Sequence, residues 1–291
     1  MPSTLAAAHR AIGAELARHD LCFGHGTDNA FDEAGALLMG ALHLDYDALG
    51  QPRQLSRDER ERLAALLKRR IVERVPLPYL VGEAWFAGLR FIVDESVLVP
   101  RSPIAELIDG AFAPWLIGEP EEVLDLCAGS GCIGIACALA FPEATVTLTD
   151  VSDAAVAVAR RNVELHRVAD RVEVLRGDLF APVGDRRFDL IVCNPPYVDA
   201  QDLHMLPDEF RHEPVLGLAG GDDGLDFVRR IMARAPHHLT ERGLLVCEVG
   251  NSADALLRAY PTVPFIWPDF ERGGGGVFVV EAATLRSRAS P

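Results

Sequence analysis

The chain has 291 residues, 49% hydrophobic and 24% charged, an ordinary composition for a globular protein with a large core. Its net charge is −15, with net −3 before Ser96 and net −12 from there on. That sign is wrong for gripping a phosphate backbone, so free DNA or RNA is disfavoured as the main partner and a basic protein is favoured.

Residues 1–75 read as helical. Leu5, Ile12, Leu16 and Leu21 recur at near-helical spacing. A second helix spans 31–42, opened by Thr27 or Asp28 as a cap, and a third spans 56–75, opened by the capping box Ser56-x-x-Glu59. No residue here has a chemical signature, so the expectation is a small helical domain that covers or recognises something. Pro76-Leu77-Pro78 breaks the helices, and residues 76–100 read as a β-hairpin linker. Ser102 and Pro103 suit the start of a helix over 104–112. Arg101 beside them is open to either a surface ion pair or a ligand contact.

From residue 101 onward the pattern alternates. Strands are expected at 123–126, 146–149, 172–175, 190–193 and 243–249, with helices at 133–140, 152–166, 225–239 and 253–259. Residues 265–267 and 277–280 read as a closing antiparallel pair, joined through the flexible run Gly273 to Gly276. The sum is an α/β fold, a Rossmann-like doubly wound sheet. The six cysteines lie among apolar neighbours without C-x-x-C or zinc-like spacing, so they read as reduced buried thiols, and no metal site is expected. No signal peptide or membrane span is evident, which points to the cytoplasm.

Two stretches carry chemistry. Gly129-Ser130-Gly131-Cys132-Ile133-Gly134 matches G-x-G-x-x-G, and Asp150 lies nineteen residues after Gly131, where an acid accepts hydrogen bonds from ribose hydroxyls. NAD and S-adenosylmethionine both carry a ribose. Asp125 favours the second, because a carboxylate inside the first strand needs loop amides or a cationic ligand end to satisfy it. Asp178 and Leu179, after the third strand, suit the amine and face of an adenine; a loop aspartate capping a turn is the plainer alternative. The second stretch ends the strand 190–193 in Asn194-Pro195-Pro196-Tyr197. Two prolines make the turn stiff and leave three groups at the strand's carboxyl end: the Asn194 amide, the Pro195 carbonyl and the Tyr197 ring. Asn194 Oδ1 and the Pro195 carbonyl can each accept one N–H of a poorly nucleophilic amide or aromatic amine. They aim its lone pair, while Tyr197 walls the planar group.

These motifs resemble the Asn-Pro-Pro-Tyr methyltransferases that modify glutamine side-chain amides in translation proteins. The likeness extends over Tyr79-Leu80-x-Gly82, Phe86-x-Gly88, Phe91 and Val97-Leu98-Val99-Pro100-Arg101. One branch of that family acts on peptide release factors and one on large-subunit ribosomal protein L-three. Phe210 to Pro214 and Cys247 to Ser252 resemble the ribosomal-protein branch. The resemblance implies a seven-stranded class I methyltransferase domain over 101–291. It also implies S-adenosylmethionine as methyl donor, without a metal, and a basic ribosomal protein bearing a glutamine loop as acceptor. By the same resemblance Cys127, Ala128, Gly129, Ser130, Gly131, Asp150, Leu179 and Asn194 line the donor, and Asn194 to Tyr197 hold the glutamine. Cys127-Ala128 departs from the Gly-Thr or Gly-Cys of many relatives. The rivals are the release-factor branch, an adenine amino-methyltransferase on nucleic acid, and a non-catalytic adenosyl-binding assembly factor.

Overall fold

The computed structural model describes residues 1–289. Four helices come first: α1 (Leu5–Leu16), α2 (Ala30–Leu42), α3 (Arg57–Lys68) and the short α4 (Leu77–Val81). They bury Leu5, Ile12, Leu16, Leu37, Leu38 and Leu63 in a core of their own. Asn29, rather than Thr27 or Asp28, caps α2 by accepting from the Phe31 and Asp32 amides. Both arms of the Ser56/Glu59 capping box close on α3. After Lys68 the helix widens into one π turn, Arg69–Glu73, and Arg74 ends it in the left-handed conformation at φ 60°. Tyr79, expected in a strand, lies in α4, because Pro76 and Pro78 sit where a helix start tolerates proline. The hairpin β1 (Glu83–Phe86) and β2 (Leu89–Ile92) follows.

The remaining elements are α5 (Ile104–Asp109), β3 (Glu122–Leu126), α6 (Cys132–Ala140), β4 (Thr145–Asp150), α7 (Asp153–Leu165), β5 (Val172–Arg176), β6 (Phe188–Cys193), α8 (Ala200–Met205), α9 (Asp226–His238), β7 (Leu239–Glu248), α10 (Ala253–Ala259), β8 (Val277–Glu281) and α11 (Ala282–Ala289). The strands form one sheet in the order β5-β4-β3-β6-β7-β8, parallel except for β8. Apolar layers cover both faces, which is why β3 and β6 read as continuous hydrophobic runs. This is the Rossmann-like class I architecture. The expected seventh strand at 265–267 is reduced to one bridge, Ile266 to Val279, with reciprocal hydrogen bonds of 3.0 and 2.8 Å. Pro264 and Pro268 flank Ile266 at the two positions that would donate next, so the ladder cannot extend. Helices α8 and α11 were not read from sequence. No helix among the described residues is long and apolar enough to cross a membrane.

Register sets the site. Leu126 pairs with Thr149 and with Cys193, and Cys193 pairs with Cys247. The next residue on each strand is therefore Cys127, Asp150, Asn194 and Glu248, a row along the carboxyl edge. The strand order reverses between β3 and β6, which opens a crevice there.

Candidate active site

The crevice is a cleft of about 980 Å³ lined by Cys127, Ala128, Gly129, Ser130, Asp150, Asp178, Leu179, Asn194 and Pro196 among others. The loop after β3 is shaped for close approach. Gly129 has φ 56°, and a Cβ there would meet nothing within 4 Å, so its backbone faces open space. Gly134, the last glycine of the motif, lets α6 press on the sheet, since a Cβ there would lie 2.1 Å from Leu148 Cδ2. Gly131 opens α6 at φ 81° and packs against Leu148 and Ile135 rather than lining the cleft.

Asp150 holds the loop: Oδ2 accepts from the Gly129 amide and Oδ1 from the Ser152 amide, both at 2.9 Å. Each oxygen keeps a further lone pair for a ligand hydroxyl. Burial pushes its carboxyl above the ordinary aspartate range, against those amide bonds. Thr149 Oγ1, from a residue lining the cleft, is buried without a partner among the described residues. A polar, ribose-bearing methyl donor therefore fits this cradle.

Asp125 is placed behind the loop and does not line the cleft. Its Oδ2 accepts from the Gly134 amide at 2.8 Å, while Oδ1 is unpaired. Burial pushes it up to about 8, only partly relieved by that amide. It braces the start of α6 and, neutral at moderate pH, offers little charge to a ligand ammonium. Asp178 lines the cleft with its carboxylate paired to Arg230. Cys127 and Leu179 hold φ of 58° and 50°, left-handed values that cost a side chain energy. A glycine at position 127 would avoid that cost.

A second cleft of about 1320 Å³ opens on the other side of Asn194, lined by Asn194, Tyr197, Asp202, Phe210, Glu248 and Gly250 among others. Asn194, Leu98, Arg101 and Gly217 line both clefts, so Asn194 stands at their seam. Pro195 is buried in the turn and lines neither cleft. Among the described residues, no protein hydrogen bond engages the Asn194 side chain or the Pro195 carbonyl. The Tyr197 hydroxyl donates to Glu248 Oε1 at 2.8 Å, and Ser102 Oγ donates to Oε2 at 2.5 Å. Burial, then the Glu248 charge, raises the Tyr197 phenol far above its ordinary value, so it stays neutral. Burial also raises Glu248 against its two hydroxyl donors.

Arg101 makes a bidentate pair with Glu213 at 2.6 and 2.7 Å, and its guanidinium lies 5.0 Å over the Phe210 ring. Glu213 also accepts from the Val99 amide. Sequence reasoning missed Ser102, Glu213 and Glu248, whose partners lie 51 to 146 residues away. Glu213 and Glu248 stood inside the Phe210–Pro214 and Cys247–Ser252 segments already singled out, which was the available signal. The 219–224 segment is tied to the stretch after the Asn-Pro-Pro-Tyr corner. Gly220 donates to the Val198 carbonyl, and Val198 to the Leu218 carbonyl, so the segment presses on the back of Tyr197. His212 contacts the Glu73 carbonyl at 2.8 Å, outside both clefts.

The family described as Methyltransferase small domain matches residues 113–210. Among solved structures the chain is similar to the hMettl16 catalytic domain in complex with MAT2A 3'UTR hairpin 6, with a TM-score of 0.49, 17% identity, and coverage of 79% of this chain and 83% of that one. It is also similar to a methyltransferase from Pyrococcus furiosus, with a TM-score of 0.47, 17% identity, and coverage of 77% and 98%. Two curated relatives are much nearer. The ribosomal protein uL3 glutamine methyltransferase of Xanthomonas campestris is 52% identical over 91% of this chain and 87% of its own length. The protein of the same name from Francisella tularensis is 46% identical over 91% and 86%. With 46–52% identity over 91% of its length, the chain belongs to the family of ribosomal protein uL3 glutamine methyltransferases.

Proposed function

We infer that the protein transfers a methyl group from S-adenosylmethionine to the side-chain amide nitrogen of a glutamine in ribosomal protein uL3. The observation that carries the chemistry is the position of Asn194, shared by the cleft that Asp150 and the glycine loop line and by a second cleft beside it. The names of the curated relatives support uL3 as the target. A ribosomal protein is basic, and this chain's excess of acid favours such a partner. The reaction belongs in the cytoplasm, where such a protein is synthesised.

When bound, the donor supplies an electrophilic sulfonium methyl. Cys127 to Ser130, Asp150 and Leu179 would hold it, with Asp150 taking the ribose hydroxyls. The rest of the chemistry is positioning. An amide lone pair is delocalised into its carbonyl, so the nitrogen attacks only when its direction is fixed. Asn194 Oδ1, at the seam of the two clefts, accepts one N–H group and turns the lone pair toward the donor cleft; the Pro195 carbonyl, expected from sequence as the second acceptor, belongs to a residue that lines neither cleft. Tyr197, tied to Glu248, supplies a neutral wall and no base. None is required, because the nitrogen becomes acidic once alkylated and releases its proton afterwards.

The test is labelled methyl transfer to purified uL3 and, in parallel, to a purified peptide release factor, with the modified residue located by mass spectrometry. Label on one uL3 glutamine and none on the release factor is expected. Preference for the release factor, or label on another residue type, overturns the reading.

A further inference from the structure

The outer wall of the second cleft is made by residues 200–213, which leave the sheet right after Tyr197 and contribute Met205, Pro207 and Phe210 to the lining. The 205–213 part of this strap is anchored mainly by the N-terminal helices. Glu209 Oε1 accepts from the Cys22 amide at 3.0 Å and from Arg70 Nη1 and Arg74 Nη1 at 3.1 Å each. Arg70 is 1% exposed, an unusual place for a guanidinium. Its Nε donates to Glu33 Oε1 at 2.6 Å and its Nη2 to the Cys22 carbonyl at 2.7 Å. The π turn and the left-handed Arg74 set both guanidinium groups on one carboxylate. Burial opposes the charge on Glu209, yet the Cys22 amide and the two arginines hold its carboxyl below the ordinary range. The Phe210 ring lies 4.4 Å from His25 on one side and against Arg101 on the other.

We propose that Arg70, acting through Glu209, is a positioning residue for the methyl acceptor: the N-terminal helices clamp the strap and so set the acceptor wall opposite Asn194. The glycine loop and Asp150 of the donor cleft are held by bonds of their own, away from Arg70 and Glu209. The proposal rests on the reading of the second cleft as the acceptor site. It gives the helices a part in building that site, in addition to any surface they offer to the substrate.

The experiment uses the full chain carrying Glu33→Gln, Arg70→Met and Glu209→Gln together, which removes the charges without stranding a buried one. Binding of S-adenosylhomocysteine is measured by calorimetry, and methyl transfer to uL3 is followed at saturating donor. Expected are donor-site affinity within about twofold of wild type and kcat/KM for uL3 lowered at least ~10-fold, the scale of a displaced contact. Arg70→Lys, which keeps the charge but loses the three-way fork, should fall between the two and serves for the comparison if the triple variant does not fold. Unchanged kcat/KM for uL3 in a folded variant overturns the proposal, and so does an equal loss of donor affinity. Wild-type protein that binds S-adenosylhomocysteine yet never methylates uL3 instead overturns the acceptor reading itself.

Discussion

Tyr197 sits in a cage built from glycines. A Cβ on Gly250, whose φ is 46°, would lie 2.4 Å from the ring, one on Gly220 2.7 Å from its Cα, and one on Gly224 2.3 Å from its carbonyl oxygen. Ser252 Oγ closes the cage by donating to that same oxygen at 2.9 Å. Gly250→Ala should therefore push the ring out of place. Methyl transfer should slow at least ~10-fold while S-adenosylhomocysteine affinity stays unchanged; a rate within twofold of wild type would mean the ring does not need this seat. Tyr197→Phe should strip Glu248 of one donor and cost about 1–3 kcal/mol in urea unfolding. Combining it with Glu248→Gln should cost less than the sum of the two; strict additivity would show that the two groups are not coupled. In a sequence, a run of glycines serves freedom to move and close packing equally well. The fold uses 220 and 224 for closeness, and only the residue facing a glycine distinguishes those two uses.

At the scale of elements, the strap is where pH should act. His25 is buried, its ring 3.7 Å from Glu213 and tilted at 44° against the Phe210 ring. Burial lowers it to about 4, with Glu213 opposing and Arg101 and Arg70 adding to the effect. An unfolded histidine titrates near 6.5, so between pH 6.5 and about 4 the unfolded chain binds a proton that the folded chain refuses. The stability is complete above that window and is lost as pH falls through it, by at most on the order of 3 kcal/mol. His25→Phe should flatten the dependence of Tm on pH in this range; parallel curves for the two proteins would contradict the assignment. The parallel strands were legible in the sequence because each is a short apolar run stopped by glycine, proline or aspartate. The strap was not, because Arg70 follows Lys68 and Arg69 on a helix and reads as a solvated charge run, while its partner Glu209 lies 139 residues away. The edge strand at 266 was over-read because aromatic and branched residues suggested a ladder that Pro264 and Pro268 forbid.

For the whole molecule, the charge is lopsided: net −12 falls after residue 95. If that field recruits a basic acceptor, kcat/KM for uL3 should fall as ionic strength rises from about 0.01 to 0.15 M, where the screening length shrinks from about 30 to 8 Å, while kcat stays level. A salt-independent kcat/KM would remove electrostatic recruitment from the account. The clefts meet where three separate stretches converge, the glycine loop, the Asn-Pro-Pro-Tyr corner and the junction at Arg101. The first two announced themselves by composition. The third became visible only once Glu213 was seen to hold it. The most direct measurement is the single-turnover rate of Asn194→Ala at saturating donor and uL3, beside its affinity for S-adenosylhomocysteine. The account predicts a rate at least ~100-fold lower with affinity changed only a few-fold. A rate near that of wild type, or a loss traceable wholly to donor binding, would contradict it.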